Sequence, residues 1–364
     1  MRRAALLLLV AAALGARAEP ATLRVGAVDY VSLEDGASAL GLHVARSVPD
    51  SAVMLKSGSQ PVARLTDHSR EVDLAGLRVF LGDPVVVRSG AFYVSREDFE
   101  FKLKPRLRPE LCGTPPRVPR VIALDAGHGG EDHGTENPEL HTMEKAFTLD
   151  VVRRLKRMLE AAGYRVVLTR DTDVNVAKPT RSEIANVAAA DVFVSVHFNS
   201  VWPDKRTTGV EVLSFPPKTQ RSTDSWSLGH KDDAEPGAAP VNDFNAWNTV
   251  LAGALHRQLL SALRNGDRGE KFEHLAVLRG LKCPGALVEP AFISSASEGL
   301  ALESGEYREK IAAAVCAGLN DYAAAVRALH AAEVAPPGGP AAASPSAPAA
   351  AAPVRSAPMR PPAP

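Results

Sequence analysis

Four side chains in the second half of the sequence have the types and the order that a metal-dependent hydrolase uses. A histidine stands at or just past the end of each of two apolar runs: His128 in VIALDAGHGG and His197 in VFVSVHFNS. Glu144 opens an amphipathic stretch, and Glu289 closes a third apolar run, GALVEPAFISS. Two neutral imidazoles and one carboxylate, with a fourth position left to water, are a usual ligand set of catalytic zinc.

The donor types favour zinc over calcium or magnesium, because those two ions prefer oxygen ligands. Zinc lowers the pKa of a bound water to roughly 7, which makes a nucleophile available near neutral pH. Glu289 is not needed as a ligand, so we predict that it accepts the proton of that water and later gives it to a leaving amine. Taken singly, each residue has an ordinary alternative in a loop, at a helix start or in the core; their joint order favours the metal site.

Three neighbours of His128 are further candidates. Asp125 is predicted to orient a ligand imidazole through its second ring nitrogen. His133 and His141, in the loop between the first two predicted ligands, are candidates for substrate binding, although surface loop histidines are common.

Apolar runs and amphipathic stretches alternate from residue 120 onward. This alternation predicts an α/β fold with a twisted, mainly parallel sheet flanked by helices. Ligands of such sheets lie outside the carboxyl ends of the strands, where the four candidate side chains are expected. We predict strands near 121–124, 164–169, 191–197, 209–215, 274–279 and 285–289, and helices near 144–162, 180–190, 245–264 and 305–329.

Composition shifts divide the chain into five segments. The chain begins with a long apolar run, which is followed by alternating short runs and then by a Pro- and Arg-rich stretch. The α/β pattern comes next, and a Pro/Ala tract ends the sequence given. The predicted segments are a signal peptide (1–18), a small β-rich accessory domain (22–104), a Pro-rich linker (105–119), a catalytic domain (120–330) and a disordered tail (334–364).

The first 18 residues have a basic start, an apolar run and the small-residue site ARA, which together predict a cleavable secretory signal. The apolar run is too short to span a membrane comfortably. We therefore expect an exported protein, in the periplasm or outside the cell, with no membrane span after the signal is removed. Without the three arginines of the leader, 39 basic residues face 42 acidic ones, and no basic stripe indicates nucleic acid.

The accessory segment contains no cluster of histidine, cysteine and carboxylate, so binding or spacing is expected of it rather than chemistry. One helix is predicted after Ser32 as its N-cap. The layout weakly resembles the copper amine oxidase N-terminal-like domain, which does not imply bound copper. Cys112, Cys283 and Cys316 allow at most one intramolecular disulfide, and the sequence does not determine the pairing.

A long polar segment near 216–244 interrupts the α/β pattern. Loops of this length are usually functional or disordered. We expect it to gate the cleft, with a possible activator protein that relieves the gate.

The motifs DAGHGG, MEK, ADVFVSVHFNS and LVEPAFIS resemble the zinc-dependent N-acetylmuramoyl-L-alanine amidases of type 3. LTRDTD and RSEIAN lie between them, and the resemblance covers roughly residues 120–325. It implies that His128, Glu144 and His197 bind Zn²⁺ and that Glu289 is the catalytic carboxylate. The implied substrate is peptidoglycan, at the amide between the lactyl group of N-acetylmuramic acid and L-alanine of the stem peptide.

Two other functions fit the same residues. A zinc carboxypeptidase or endopeptidase acting on stem peptides would use the same metal and base. A catalytically silent cell-wall-binding protein is the alternative outside enzymes, although a pure binder has no need of a free carboxylate beside an open metal position.

Overall fold

The computed structural model describes residues 22–47, 51–220, 222–223 and 242–334. The predicted signal peptide, most of the 216–244 segment with its expected gating role, and the tail after 334 lie outside these residues.

The amino-terminal region is rich in β-structure, as predicted, and its helix begins after Ser32, whose hydroxyl accepts a hydrogen bond from Asp35 N. Its elements are β1 (Thr22–Val25), β2 (Val28–Ser32), α1 (Leu33–Ala39), β3 (His43–Arg46), β4 (Ala52–Ser57), β5 (Gln60–Thr66), β6 (Glu71–Leu74), β7 (Leu77–Phe80), β8 (Val86–Arg88) and β9 (Ala91–Ser95). Two helical elements follow β9 before the predicted linker begins: α2 (Arg96–Asp98) and a π-helical turn (Phe99–Leu103). The predicted linker itself is partly helical, with most of α3 (Lys104–Leu107) and a 3-10 turn (Pro109–Leu111). The resemblance of this region to the copper amine oxidase N-terminal-like domain stays a prediction.

The carboxyl-terminal region alternates strands and helices. Its elements are β10 (Val121–Ala126), β11 (Glu136–Asn137), β12 (Thr142–Met143), α4 (Glu144–Ala161), β13 (Arg165–Leu168), α5 (Lys178–Val187), β14 (Val192–Val196), β15 (Val210–Ser214), α6 (Asn245–Leu263), β16 (Asp267–Phe272), α7 (Ala276–Arg279), β17 (Gly285–Glu289), α8 (Ala296–Glu303) and α9 (Gly305–Val334).

The strand predicted near 274–279 is wrong. The strand at this point is β16, seven residues earlier, and residues 276–279 form the short helix α7. A short apolar run does not distinguish a strand from a buried helical turn, and here Val277 and Leu278 pack side by side into the core as one turn.

Eleven strands form one sheet, in the order β13-β10-β14-β17-β15-β16-β7-β6-β5-β4-β3. The strands β13, β10, β14 and β17 are parallel to one another, and β15 runs antiparallel to β17. The predicted α/β class is confirmed, with a mixed sheet flanked by helices. Helices α4, α6 and α9 pack on one face of the sheet, while α5 and α7 pack on the other.

The sheet also crosses the predicted domain boundary, because β16 pairs in parallel with β7 through Glu270 and Val79. The division into domains stays a prediction, but the two regions share this sheet.

A cluster of buried charged side chains lies where β16 pairs with β7. We call it the junction cluster, and it consists of Lys102, Arg106, His256 and Glu270. Arg106 and Glu270 form an ion pair, and His256 Nδ1 lies 3.5 Å from Glu270 Oε1. Lys102 Nζ lies 3.6 Å from the centre of the Phe272 ring. The cluster connects the segment after β9 to β16 and α6.

The three cysteines are free. Among the helices that the structure describes, none is long and apolar enough to cross a membrane.

Candidate metal centre

The four predicted side chains come from elements that end at one edge of the sheet. His128 lies in the loop after β10, His197 directly follows β14, and Glu289 is the last residue of β17. Glu144 is the first residue of α4. The ligand atoms of His128, Glu144 and His197 all lie within 4.8 Å of one another. The topology therefore brings together donors that are separated by up to 69 positions in the sequence.

Close packing at this edge requires glycine at two positions. A Cβ atom on Gly127 would lie 2.4 Å from Cε1 of His197, and one on Gly134 would lie 2.6 Å from Oε2 of Glu144. Gly134 also has a φ of +71°, which disfavours other residues. His128 itself has a φ of +61°, so the surrounding contacts must hold the loop in this conformation.

Two buried arginines hold the carbonyl groups of this loop. Arg170 donates to the carbonyl oxygens of Ala126 at 2.9 Å and Gly127 at 2.8 Å. Arg181 donates to those of Ala126 at 2.7 Å and His128 at 2.9 Å. These arginines belong to the motifs LTRDTD and RSEIAN, and their contacts fix the backbone that carries the first histidine.

Glu144 is the centre of the cluster and is only 2% exposed. Its Oε1 lies 2.8 Å from His197 Nδ1, and its Oε2 lies 3.2 Å from His128 Nε2. The two oxygens also accept hydrogen bonds from the backbone N–H groups of Phe198 and Thr135. Burial alone would raise the pKa of Glu144, but the hydrogen bonds with His128 and His197 lower it well below its usual range. The carboxyl is therefore an anion.

Asp132 orients the first histidine, a role that the sequence analysis missed. Its Oδ1 lies 2.8 Å from His128 Nδ1, which leaves Nε2 directed at Glu144. Burial opposes the charged imidazole, but Glu144 and Asp132 outweigh it and raise the pKa of His128. The available signal was an acidic residue four positions after the histidine in a glycine-rich loop.

Asp125, which was predicted to orient a ligand imidazole, has other partners. It accepts hydrogen bonds from Thr169 Oγ1 at 2.6 Å, from Ser195 Oγ at 2.6 Å and from Arg181 at 2.8 Å. It is completely buried, and it anchors Arg181 below the loop. Its contribution to the site is thus indirect.

Glu289 lies beside the cluster with an enclosed oxygen. The residue is partly buried, and its Oε2 is shielded from solvent without a hydrogen-bond partner among the described residues. Burial raises its pKa well above the usual range, and the charges of Glu144, Glu211 and Glu273 add to this effect. A carboxyl in this state is able to take up a proton.

The other loop histidines do not join the cluster. His133 is partly exposed, with Nδ1 2.9 Å from Glu136 Oε1, and His141 is exposed. Within the part of the chain that the structure describes, His128, Glu144 and His197 are the set of residues spaced to hold a metal ion. Two imidazole nitrogens and an ionised carboxylate suit a zinc-like cation in donor chemistry.

Comparisons with known proteins agree with these motifs. Residues 122–321 match the family model described as N-acetylmuramoyl-L-alanine amidase. The chain is 32% identical over 218 residues to N-acetylmuramoyl-L-alanine amidase AmiC of Neisseria meningitidis serogroup B, covering 56% of this chain and 52% of that protein. It is 33% identical over 227 residues to the probable amidase AmiB of Haemophilus influenzae, with the same two coverages.

Among solved structures, the amidase AmiC2 of Nostoc punctiforme is 28% identical and matches with a TM-score of 0.45, over 56% of this chain and 96% of that one. The chain spans about half the length of the curated relatives named above. Because the family model matches more than half of the chain, the chain belongs to the N-acetylmuramoyl-L-alanine amidase family of type 3.

Proposed function

We propose that the protein hydrolyses the amide between the lactyl group of N-acetylmuramic acid and L-alanine of the peptidoglycan stem peptide. The observation that carries this proposal is the convergence of His128, Glu144 and His197 beside the free carboxyl of Glu289, within the region that matches the family. Zinc dependence is typical of this family, and the donor set fits that ion.

His128, Glu144 and His197 would hold the zinc ion. When bound, zinc supplies Lewis-acid activation of a water molecule and of the scissile carbonyl group. The protein contributes the orientation of the donors: Asp132 directs Nε2 of His128 inward, while Thr135 and the backbone of Phe198 hold the Glu144 carboxylate.

Glu289 would move the proton. No hydrogen bond within the described residues occupies its Oε2, so the carboxylate has an acceptor that is not already in use. The carboxylate accepts one proton from that water as the carbon–oxygen bond forms. The same proton then passes to the nitrogen of L-alanine as the carbon–nitrogen bond breaks, which returns Glu289 to its ionised form.

We further propose that the protein acts outside the cytoplasm. The basic start, apolar run and small-residue site of residues 1–18 support export, and peptidoglycan is a substrate of the cell envelope.

The decisive experiment is digestion of purified sacculi by the wild-type protein and by Glu289→Gln, with bound zinc measured in both. We expect the wild type to release intact stem peptides with a new amino-terminal alanine, and the variant to keep zinc and lose turnover. Dialysis against a chelator should abolish turnover, and added zinc should restore it.

Other products would decide against the proposal. Shortened stem peptides that remain attached to muramic acid would indicate a carboxypeptidase or endopeptidase. Binding to sacculi without any new amino group would indicate a cell-wall-binding protein.

A further inference from the structure

A second glutamate stands next to Glu289 on the sheet. Glu211 in β15 pairs directly with Glu289 in β17, in antiparallel register. Side chains of directly opposed residues point to the same face, with Cβ atoms about 4.5–5.5 Å apart. On the other side of Glu289, Val196 in β14 pairs with Val288 in β17. The next residue pair along these parallel strands therefore places His197 beside Glu289. The three side chains form a row in which Glu289 is in the middle.

The Glu211 carboxylate is anchored at both oxygens. Lys271 Nζ forms an ion pair with Oε1, and Asn199 Nδ2 donates to Oε2 at 2.8 Å. Asn199 is itself held, because its Oδ1 accepts from Ser200 N at 2.8 Å. Glu211 is only 5% exposed. Its negative charge is therefore fixed in place.

The two glutamates of the pair differ in their surroundings. Glu211 has a cation and an amide, whereas Oε2 of Glu289 has no hydrogen-bond partner among the residues that the structure describes. Glu211 is also outside the set of metal-spaced residues. Two carboxyl groups placed side by side repel each other when both are ionised, and active sites use such like-charge pairs to tune a reacting group.

We propose that Glu211 is a positioning residue for Glu289: its anchored carboxylate closes the side of Glu289 that faces away from His197 and keeps the Glu289 carboxyl directed at the metal ligands. This inference rests on the proposed amidase function. The charge of Glu211 also contributes to the raised pKa of Glu289, after burial and Glu144.

The test is Glu211→Gln, which preserves the size of the side chain and an oxygen for Asn199. The substitution puts a neutral amide opposite Lys271 and removes the negative charge that repels the Glu289 carboxyl, so this carboxyl is able to move away from the metal ligands. A displacement of about 1 Å in a reacting group can cost on the order of 100-fold in rate. We expect kcat on a soluble muramyl peptide to fall about 10- to 100-fold, while KM and zinc content stay unchanged. The variant should melt at a lower temperature, because Lys271 loses its counterion, but it should stay folded under the assay conditions.

Three further readouts separate positioning from a structural role. In a Glu289→Gln background, Glu211→Gln should cause no additional loss of the residual rate, because the group through which it acts is gone. Crystal structures of the zinc-loaded wild type and Glu211→Gln should show the Glu289 carboxyl displaced toward position 211. Glu211→Asp, which retains the charge, should restore most of kcat.

The matched control is Glu298→Gln. Glu298 is also a buried glutamate, but it accepts hydrogen bonds from the backbone N–H groups of Gly209 and Phe292 and lies outside the row. We expect it to change stability without a selective loss of kcat.

The outcomes are distinguishable. An inactive wild type would refute the proposed function itself. An active wild type with an equally active Glu211→Gln would refute the positioning role alone. Unfolding or zinc loss in Glu211→Gln, or a Glu211→Asp rate as low as that of Glu211→Gln, would also overturn it.

Discussion

Two of the buried charge clusters in the described part of the chain, the junction cluster and the candidate metal centre, differ in how their charges are paired. In the junction cluster, Arg106 and Glu270 are paired and almost completely enclosed, at 5% and 0% side-chain exposure. At the candidate metal centre, the side chains of His128 and His197 are 20% and 19% exposed, so this cluster is open to solvent. A closed cluster stabilises a fold, whereas a cluster with free donors is able to bind and react.

The pKa values of two glutamates express the same contrast. Burial opposes ionisation of both. In the junction cluster, Arg106 and His256 outweigh burial and lower the pKa of Glu270 to about 2. At the metal centre, burial raises the pKa of Glu289, and the negative charges of Glu144, Glu211 and Glu273 raise it further. The neighbouring charges, rather than burial alone, decide which glutamate is structural and which is available for proton transfer.

The largest expected effect is that of Glu289→Gln on turnover. Removal of a general base typically costs about 10²- to 10⁴-fold. Stability should stay the same or increase slightly, because the variant replaces a poorly solvated carboxyl with a neutral group. Turnover of sacculi, bound zinc and the midpoint of urea unfolding check this prediction. Loss of zinc or of folding would show that Glu289 belongs to the structural kind of cluster.

Glu270→Ala should affect stability instead. It leaves Arg106 buried without its counterion, which typically costs about 3–5 kcal/mol of unfolding free energy. The control is Glu71→Ala, which breaks the exposed ion pair with Arg78 and should cost less than about 1 kcal/mol. Urea unfolding measures both. Zinc affinity of the folded protein should not change, and a parallel fall in affinity would contradict the separation of the clusters.

Asp132→Asn should weaken zinc binding by roughly 10- to 100-fold, because the hydrogen bond that orients His128 loses its charge. Glu136→Gln is a matched control: it alters the equivalent contact of His133, which lies outside the ligand set. Competition with a chromogenic chelator gives both affinities. Equal zinc affinities for the two variants would show that Asp132 does not orient His128 for zinc binding.

The smallest and most gradual effect is that of pH. The raised pKa of Glu289 means that its base form is lost as pH falls through a value above 4.5, so kcat/KM should decrease by about tenfold per unit on the acid side. The depressed pKa of Glu270 has the opposite sign: its contribution to stability is complete above about 4.5 and is lost only as pH falls towards about 2. Activity should therefore decline before unfolding begins. If activity in the pH–rate profile and stability in urea unfolding were lost over the same pH range, the contrast between Glu289 and Glu270 would be contradicted.

Much of the candidate site could be predicted from local sequence. Apolar runs that end in His128, His197 and Glu289 indicate strand ends, and the carboxyl ends of parallel strands meet at one edge. The donor types then determined the chemistry, and the alternation of runs determined the α/β class. These inferences depend on neighbours along the chain, for which sequence patterns are informative.

The remainder depended on contacts between distant segments. The antiparallel insertion of β15 places Glu211 beside Glu289, and the pairing of β16 with β7 extends the sheet into the amino-terminal region. The choice of Asp132 rather than Asp125 as partner of His128 depends on the path of one loop, which two arginines from other elements hold. Strand order, register and buried ion pairs depend on which segments pack together, so only the tertiary structure decided them.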